Sequence, residues 1–126
     1  MPKFFISYVY EDHAYKSQLA SWASSGQLGN WEAVYEQEDV RQDGRKAIEK
    51  HISPLIQSSQ ALVMLVGDNS HNHSWLDYEV QNAKSAGTPV ISVRIPNTNG
   101  GPPAGAPVPD VTFSPSAVRT ALANTW

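Results

Sequence analysis

The chain has 126 residues, the size of one domain, and its hydrophobic content of 40% is sufficient for a single core. The formal net charge is -3 and the basic residues form no cluster, which argues against a nucleic-acid partner. The chain has no cysteine, which excludes disulfides, thiolate metal sites and a cysteine nucleophile.

The N-terminal residues suggest a protein that is neither secreted nor inserted in a membrane. The opening apolar stretch becomes acidic by Glu11, which is too early for a signal peptide. No segment approaches the ~20 apolar residues that a membrane span requires. We therefore expect a cytoplasmic protein.

The first part of the chain predicts a strand, a helix and a second strand. Residues 3–9 are aromatic and β-branched, and Glu11 and Asp12 supply the acidic first turn of a helix that runs to about Ser24. Two glycines then break this helix. Apolar and polar residues alternate over 31–37, which predicts a more exposed strand.

The middle of the chain predicts a loop, a helix and a buried strand. Residues 38–44 are polar, and apolar residues recur at helical spacing from Arg45 onwards. Pro54 must kink this helix or restart it. Residues 61–66 are continuously apolar, as expected for a central parallel strand that is covered on both faces.

The next helix begins at Ser74, which has Asp77 three residues later as in a capping box, and it ends near Gly87. Residues 89–95 form a fourth predicted strand.

The last part of the chain is dominated by proline and glycine. Residues 96–110, the Pro/Gly segment, hold five of the nine prolines and cannot form a regular element. We expect a flexible spacer, with a lid over the site as the alternative. Residues 111–113 predict a short edge strand. Ser114 then caps a last helix that has Pro115 at its first position.

Strands that alternate with helices predict one α/β domain over residues 1–126. We expect a flavodoxin-like doubly wound parallel sheet in the order 2-1-3-4-5. In that order the switch point lies between the first and third strands. The loop after Tyr8 and the loop over residues 67–74 should line the crevice at this point.

Trp75 and Glu79 begin the helix that leaves this crevice. Their spacing of four places an aromatic face beside a carboxylate, which suits a flat cationic ring. We expect Glu79 at the rim of the buried stripe, partly desolvated. The alternative is structural, with Trp75 as a core anchor and Glu79 as a solvated flank.

Three motifs resemble those of a TIR domain. They are residues 5–8 (Phe-Ile-Ser-Tyr) with the acidic pair 11–12, the loop over 39–44, and the helix from 75 to 79. More narrowly, the chain is similar to the small bacterial TIR-like proteins that consume NAD in Thoeris antiphage defence. The resemblance covers residues 3–95.

The resemblance implies that the chain cleaves the bond between nicotinamide and ribose in NAD+, with Glu79 as the catalytic residue. NAD+ would be a substrate, and no cofactor or metal is implied. The product would be a cyclic ADP-ribose isomer or ADP-ribose, read by a separate effector protein. The chain lacks the family's usual proline before Gly44, which puts self-association through this loop in doubt. The implied substrate-binding residues are Phe5, Ser7, Tyr8, Asp39, Trp75 and Tyr78.

Two other functions stay open on the sequence. The exposed polar loop over 38–45 also suits a non-catalytic TIR-like module that only binds other proteins. A response-regulator receiver would use Asp68 as phosphoacceptor, but the chain lacks that family's acidic pair directly after the first strand and its lysine after the last. His71 and His73 are too weak a pattern to predict a metal site.

Overall fold

The computed structural model describes residues 1–35, 52–72 and 74–125. Its strands are β1 (Lys3–Ser7), β2 (Glu32–Val34), β3 (Ala61–Val66), β4 (Val90–Arg94) and β5 (Val111–Thr112). Its helices are α1 (His13–Ser24), α2 with described residues 52–57, α3 (Ser74–Ser85) and α4 (Pro115–Ala123). Short 3-10 turns cover Tyr10–Asp12 and Ser70–Asn72.

The five strands form one sheet in the order β2-β1-β3-β4-β5, and every pair is parallel. This confirms the predicted flavodoxin-like fold. β1 ends at Ser7, two residues before the predicted end of the strand over 3–9. The chain turns at Tyr10–Asp12, where the Asp12 amide donates to the Val9 carbonyl at 2.9 Å. The strand predicted over 31–37 is reduced to Glu32–Val34 within the described residues.

The predicted loop over 38–44 and the helix start at Arg45 lie outside the described residues. Pro54 falls within the described part of α2, and its carbonyl accepts from the Ser58 amide at 3.0 Å. The predicted kink or restart at Pro54 concerns the helical turn before this residue, part of which lies outside the described residues.

Alternate residues of the strands build two separate cores, one on each face of the sheet. Phe4 and Ile6 of β1 pack toward α1 and α4, and Phe5 packs toward α2 and α3. Since successive side chains of a strand point to opposite faces, this division follows from the backbone. Tyr8 and Val9, which follow β1, continue this alternation: Tyr8 packs in the core with Phe4 and Ile6, and Val9 packs in the core with Phe5.

The ends of α3 and α4 match their sequence signals. Gly87 has φ +74, its amide donates to the Lys84 carbonyl, and the Thr88 amide donates to the Ala83 carbonyl at 2.8 Å. These two bonds close α3 with a Schellman motif, which needs a residue in the left-handed conformation. At α4, the Ser114 hydroxyl accepts from the Ala117 amide at 3.2 Å.

The Pro/Gly segment has no helix or strand, as predicted, but it is attached to the fold and does not act as a free spacer. The Asn99 amide donates to the Asp68 carboxylate at 3.1 Å. The Ala104 amide donates to the Asp77 carboxylate at 3.0 Å. The segment therefore crosses the connection between β3 and α3 and contacts the first turns of α3.

Candidate active site

A buried hydrogen bond joins β1 to α3 at the carboxyl edge of the sheet. The Ser7 hydroxyl donates to Glu79 Oε1 at 2.8 Å, and neither residue has any solvent-exposed surface. Ser7 ends β1 and lies in register with Met64 of β3. The bond therefore lies at the switch point between these strands, where ligands bind in open parallel sheets.

Glu79 lies inside the core stripe of α3, and the expectation that it sits at the rim was wrong. Leu76, Glu79, Val80 and Ala83 are all fully buried. Their spacing of i, i+3, i+4 and i+7 defines one face of a helix. The carboxylate therefore replaces an apolar side chain on the face that packs against the sheet.

A carboxylate at such a position reduces stability unless it is compensated, because removing a charge from water is costly. The Ser7 hydroxyl supplies one compensating bond. In return, a charge that is shielded from water interacts strongly with any positive charge that develops beside it. The arrangement suits electrostatic stabilisation of a cationic transition state.

Two more of the predicted site residues share this face of the sheet. Phe5 is fully buried in the same core cluster, and Trp75 is half-buried and packs against that cluster. The structure thus brings Phe5, Ser7, Trp75 and Glu79 together. Phe5 supports the site from within the core, since it has no exposed surface.

The remaining predicted site residues lie elsewhere. Tyr8 is fully buried in the core on the opposite face of the sheet, because it follows Ser7 and points the other way. Tyr78 is half-buried and lines a groove of about 460 Å³ with Gln57 and the outer face of α3. Asp39 lies outside the described residues.

Glu79 is closed off from solvent in this conformation. Four surface cavities of about 470, 460, 430 and 340 Å³ are lined by other residues, and neither Ser7 nor Glu79 belongs to them. Since Glu79 has no exposed surface, a substrate can contact its carboxylate only after a local rearrangement.

Asp12, which the sequence predicts in the first turn of a helix, is a second buried carboxylate. It makes no capping hydrogen bond, and a Cβ on Gly67 would lie 2.6 Å from its Oδ2 atom. Burial, together with the nearby charges of Glu11 and Asp68, raises the pKa of Asp12 from 3.8 to about 6. The signal for this contact is the glycine that directly follows the apolar run 61–66.

We expect Asp12→Asn to stabilise the protein, with a gain that develops between pH 3.8 and about 6 and is complete above that pH. The neutral Asp12 carboxyl favours the folded state, and this contribution is complete below pH 3.8 and lost as the pH rises through about 6. Asparagine does not ionise, so the variant should exceed wild type by about 1–3 kcal/mol at pH 7.5 and match it near pH 4. Urea unfolding at both pH values measures this. Exposed Asp110→Asn is the control, and a gain independent of pH would contradict the prediction.

Neither a metal-binding cluster nor a membrane-spanning helix is found among the described residues. Among them, no group of three His, Cys, Asp or Glu side chains could hold a metal ion. Within the same ranges, no helix combines the length and the apolar character that a membrane crossing requires.

Comparisons with known proteins agree with this architecture. The family model described as Thoeris protein ThsB, TIR-like domain, matches residues 5–100, a range that includes Ser7, Trp75 and Glu79. A 3-dehydroquinate dehydratase-like protein from Bifidobacterium longum has a similar structure, with a TM-score of 0.54 and 17% identity over 99% of this chain and 95% of that one. At this identity the similarity shows the fold alone. No curated protein matches the chain.

Proposed function

Because this chain belongs to the family of Thoeris ThsB TIR-like domains, we propose that it cleaves NAD+ between nicotinamide and ribose, with Glu79 as the catalytic carboxylate. The observation that carries the proposal is the buried bond from Ser7 to Glu79 at the switch point of the sheet. A fully buried carboxylate is rare in a core, and ionisable groups in such environments cluster at functional sites.

The chemistry requires only one carboxylate. The nicotinamide ring of NAD+ carries a positive charge and leaves as a neutral molecule, so no general acid has to protonate it. Ordinary glycosidases need two carboxyl groups because their leaving oxygen must be protonated. Glu79 would bind the ribose hydroxyls and stabilise the oxocarbenium-like charge that develops as the bond breaks.

Trp75 is the residue best placed to hold the leaving ring. It precedes Glu79 by one helical turn and is half-buried, so one part of the indole packs on the core while another part stays accessible. An indole face attracts a pyridinium ring by stacking and by a cation–π interaction of about 1 kcal/mol or more when water is excluded.

The product depends on which nucleophile reaches the ribose after the ring leaves. Attack by the adenine of the same molecule gives a cyclic ADP-ribose isomer, and attack by water gives ADP-ribose. Either product would act as a nucleotide signal for a separate effector protein in antiphage defence, in line with the family of the chain.

The direct test is to incubate the purified protein with NAD+ and to analyse the mixture by mass spectrometry. We expect free nicotinamide together with one ADP-ribose-derived product. Absence of nicotinamide at high protein concentration, with and without crowding agents or lysate from infected cells, would contradict the proposal.

A second candidate function is a non-catalytic module that binds other proteins. The full burial of Glu79 favours it, because a substrate has no access to the carboxylate in this conformation. The same assay separates the two functions, since the module would release no nicotinamide under any activating condition.

We expect Ser7→Ala to lower both stability and NAD+ cleavage. The variant leaves the buried Glu79 Oε1 without its hydroxyl donor, which should cost about 1–3 kcal/mol of unfolding free energy. It should also slow nicotinamide release about tenfold, because the carboxylate loses the contact that orients it. Urea unfolding and the nicotinamide assay measure the two effects.

Ser92→Ala is the matched control for this prediction. Ser92 is 1% exposed and in register with Met64 on the next strand, but its hydroxyl has no hydrogen-bond partner among the described residues. Removing it should leave stability unchanged or slightly higher. Equal losses in Ser7→Ala and Ser92→Ala would show that the Ser7 contact has no special role.

A further inference from the structure

An exposed pair of stacked aromatic rings lies just beyond the carboxyl end of β1. The ring centroids of Tyr10 and His13 are 5.0 Å apart with an interplanar angle of 20°. His13 Nδ1 lies 3.0 Å from the Tyr10 carbonyl oxygen, which holds the imidazole in place. Tyr10 is 63% exposed, so the pair presents a flat, pre-arranged surface to solvent. Such a surface is what a nucleobase requires for stacking.

A positively charged group lies one turn further along α1. Lys16 follows His13 by three residues, a spacing that makes the two side chains neighbours on a helix. Its Nζ atom lies 4.3 Å from the ring centroid of Tyr35 and 5.5 Å from that of Tyr8. Within the described residues the ammonium group thus contacts aromatic faces and no carboxylate. Toward the described residues its charge is therefore not neutralised, and it can pair with an anion.

Tyr10 lies close to Ser7 in the chain, and the Lys16 Nζ atom lies 5.5 Å from the ring centroid of Tyr8, the residue that follows Ser7. Tyr10 follows Ser7 by three residues, so their Cα atoms are at most about 11 Å apart. The linker between the two bases of a dinucleotide can bridge this distance. Glu11, Asp12 and Asp68 also lie at this edge, where the charges of Glu11 and Asp68 act on Asp12, so a phosphate group beside these carboxylates would be repelled. Lys16 gives an anion the favourable position.

We propose that Tyr10, His13 and Lys16, the α1 platform, bind the ADP part of the substrate. The adenine stacks on the outer face of the Tyr10–His13 pair, and the pyrophosphate pairs with the Lys16 ammonium. The identity of the whole dinucleotide rests on the proposed function, but the recognition of an adenine diphosphate rests on the α1 platform itself.

Calorimetric titration of the Glu79→Gln protein with ADP and with inorganic pyrophosphate tests this proposal without turnover. Tyr10→Ala should weaken ADP binding about tenfold and leave pyrophosphate binding unchanged. Lys16→Met should weaken both about tenfold, and the difference from the parent should shrink as salt is raised. Lys3→Met, which removes one positive charge at the amino end of β1, is the control and should change neither. ADP binding that is absent, or equal in all variants, overturns the proposal.

Kinetics of the otherwise wild-type protein separate this proposal from the proposed function. Tyr10→Ala and Lys16→Met should each raise the KM for NAD+ about tenfold and leave kcat unchanged. Nicotinamide release with an unchanged KM in both variants overturns the α1 platform and leaves the proposed function intact. ADP binding that depends on Tyr10 and Lys16, without nicotinamide release, supports the α1 platform and contradicts the proposed function.

Discussion

Glu79→Gln should reduce nicotinamide release from NAD+ by about 10²–10³-fold or more while the protein stays folded. Glutamine has the same shape, and its amide oxygen can still accept the hydrogen bond from the Ser7 hydroxyl. What the variant lacks is the negative charge that would stabilise the oxocarbenium-like transition state. The nicotinamide assay at saturating NAD+ measures this loss.

The same variant separates a catalytic role from a structural one. Replacing a buried charge by a neutral group should leave the melting temperature unchanged or higher. Glu32→Gln is the matched control, because Glu32 is exposed and pairs in register with Lys3 at the amino end of β1. We expect it to keep activity within about twofold of wild type. If Glu79→Gln cleaves NAD+ as fast as wild type, the assignment of the site is wrong.

Gly100→Ala should destabilise the protein by about 1–3 kcal/mol. A Cβ at this position would overlap the backbone carbonyl oxygens of Gly67 and Asp68, and neither carbonyl can move without displacing the connection from β3 to α3. The Pro/Gly segment would have to lift away from this connection. Urea unfolding gives the change in midpoint, and the nicotinamide assay should show a parallel loss if the segment positions α3.

Gly101→Ala is the control, and it differs from Gly100→Ala by one position in the chain. A Cβ on Gly101 would have no heavy atom within 4 Å. We expect a change within about 0.5 kcal/mol, with a small gain if the less flexible unfolded chain dominates. Equal destabilisation by the two variants would show that the Pro/Gly segment does not pack on the β3–α3 connection as described.

The order of the elements and their packing faces were predictable from the sequence. The continuous apolar run over 61–66 predicted a strand that is covered on both faces, and β3 is fully buried. Gly87 and Ser114 marked the end of α3 and the start of α4. These signals are local, because they arise from backbone conformation and from bonds that span only a few residues.

The absence of a helix or strand in the Pro/Gly segment was predictable from its composition, but the position of the segment on the fold was not. Its prolines excluded a helix or a strand, as the structure confirms. They did not indicate that the amides of Asn99 and Ala104 would reach Asp68 and Asp77, since those partners lie 31 and 27 residues away in the chain. A contact of that separation depends on how the sheet brings β3, α3 and β4 together.

The sequence by itself determined a parallel α/β fold, its family resemblance and the candidate carboxylate Glu79. The tertiary structure decided that Glu79 is buried and not at a rim, because its acceptor oxygen finds the Ser7 hydroxyl 72 residues away. It likewise placed Tyr8 on the opposite face of the sheet and Asp12 against Gly67. A buried charge needs partners that are distant in the chain. The spacing of residues on one helix gives no information about those partners.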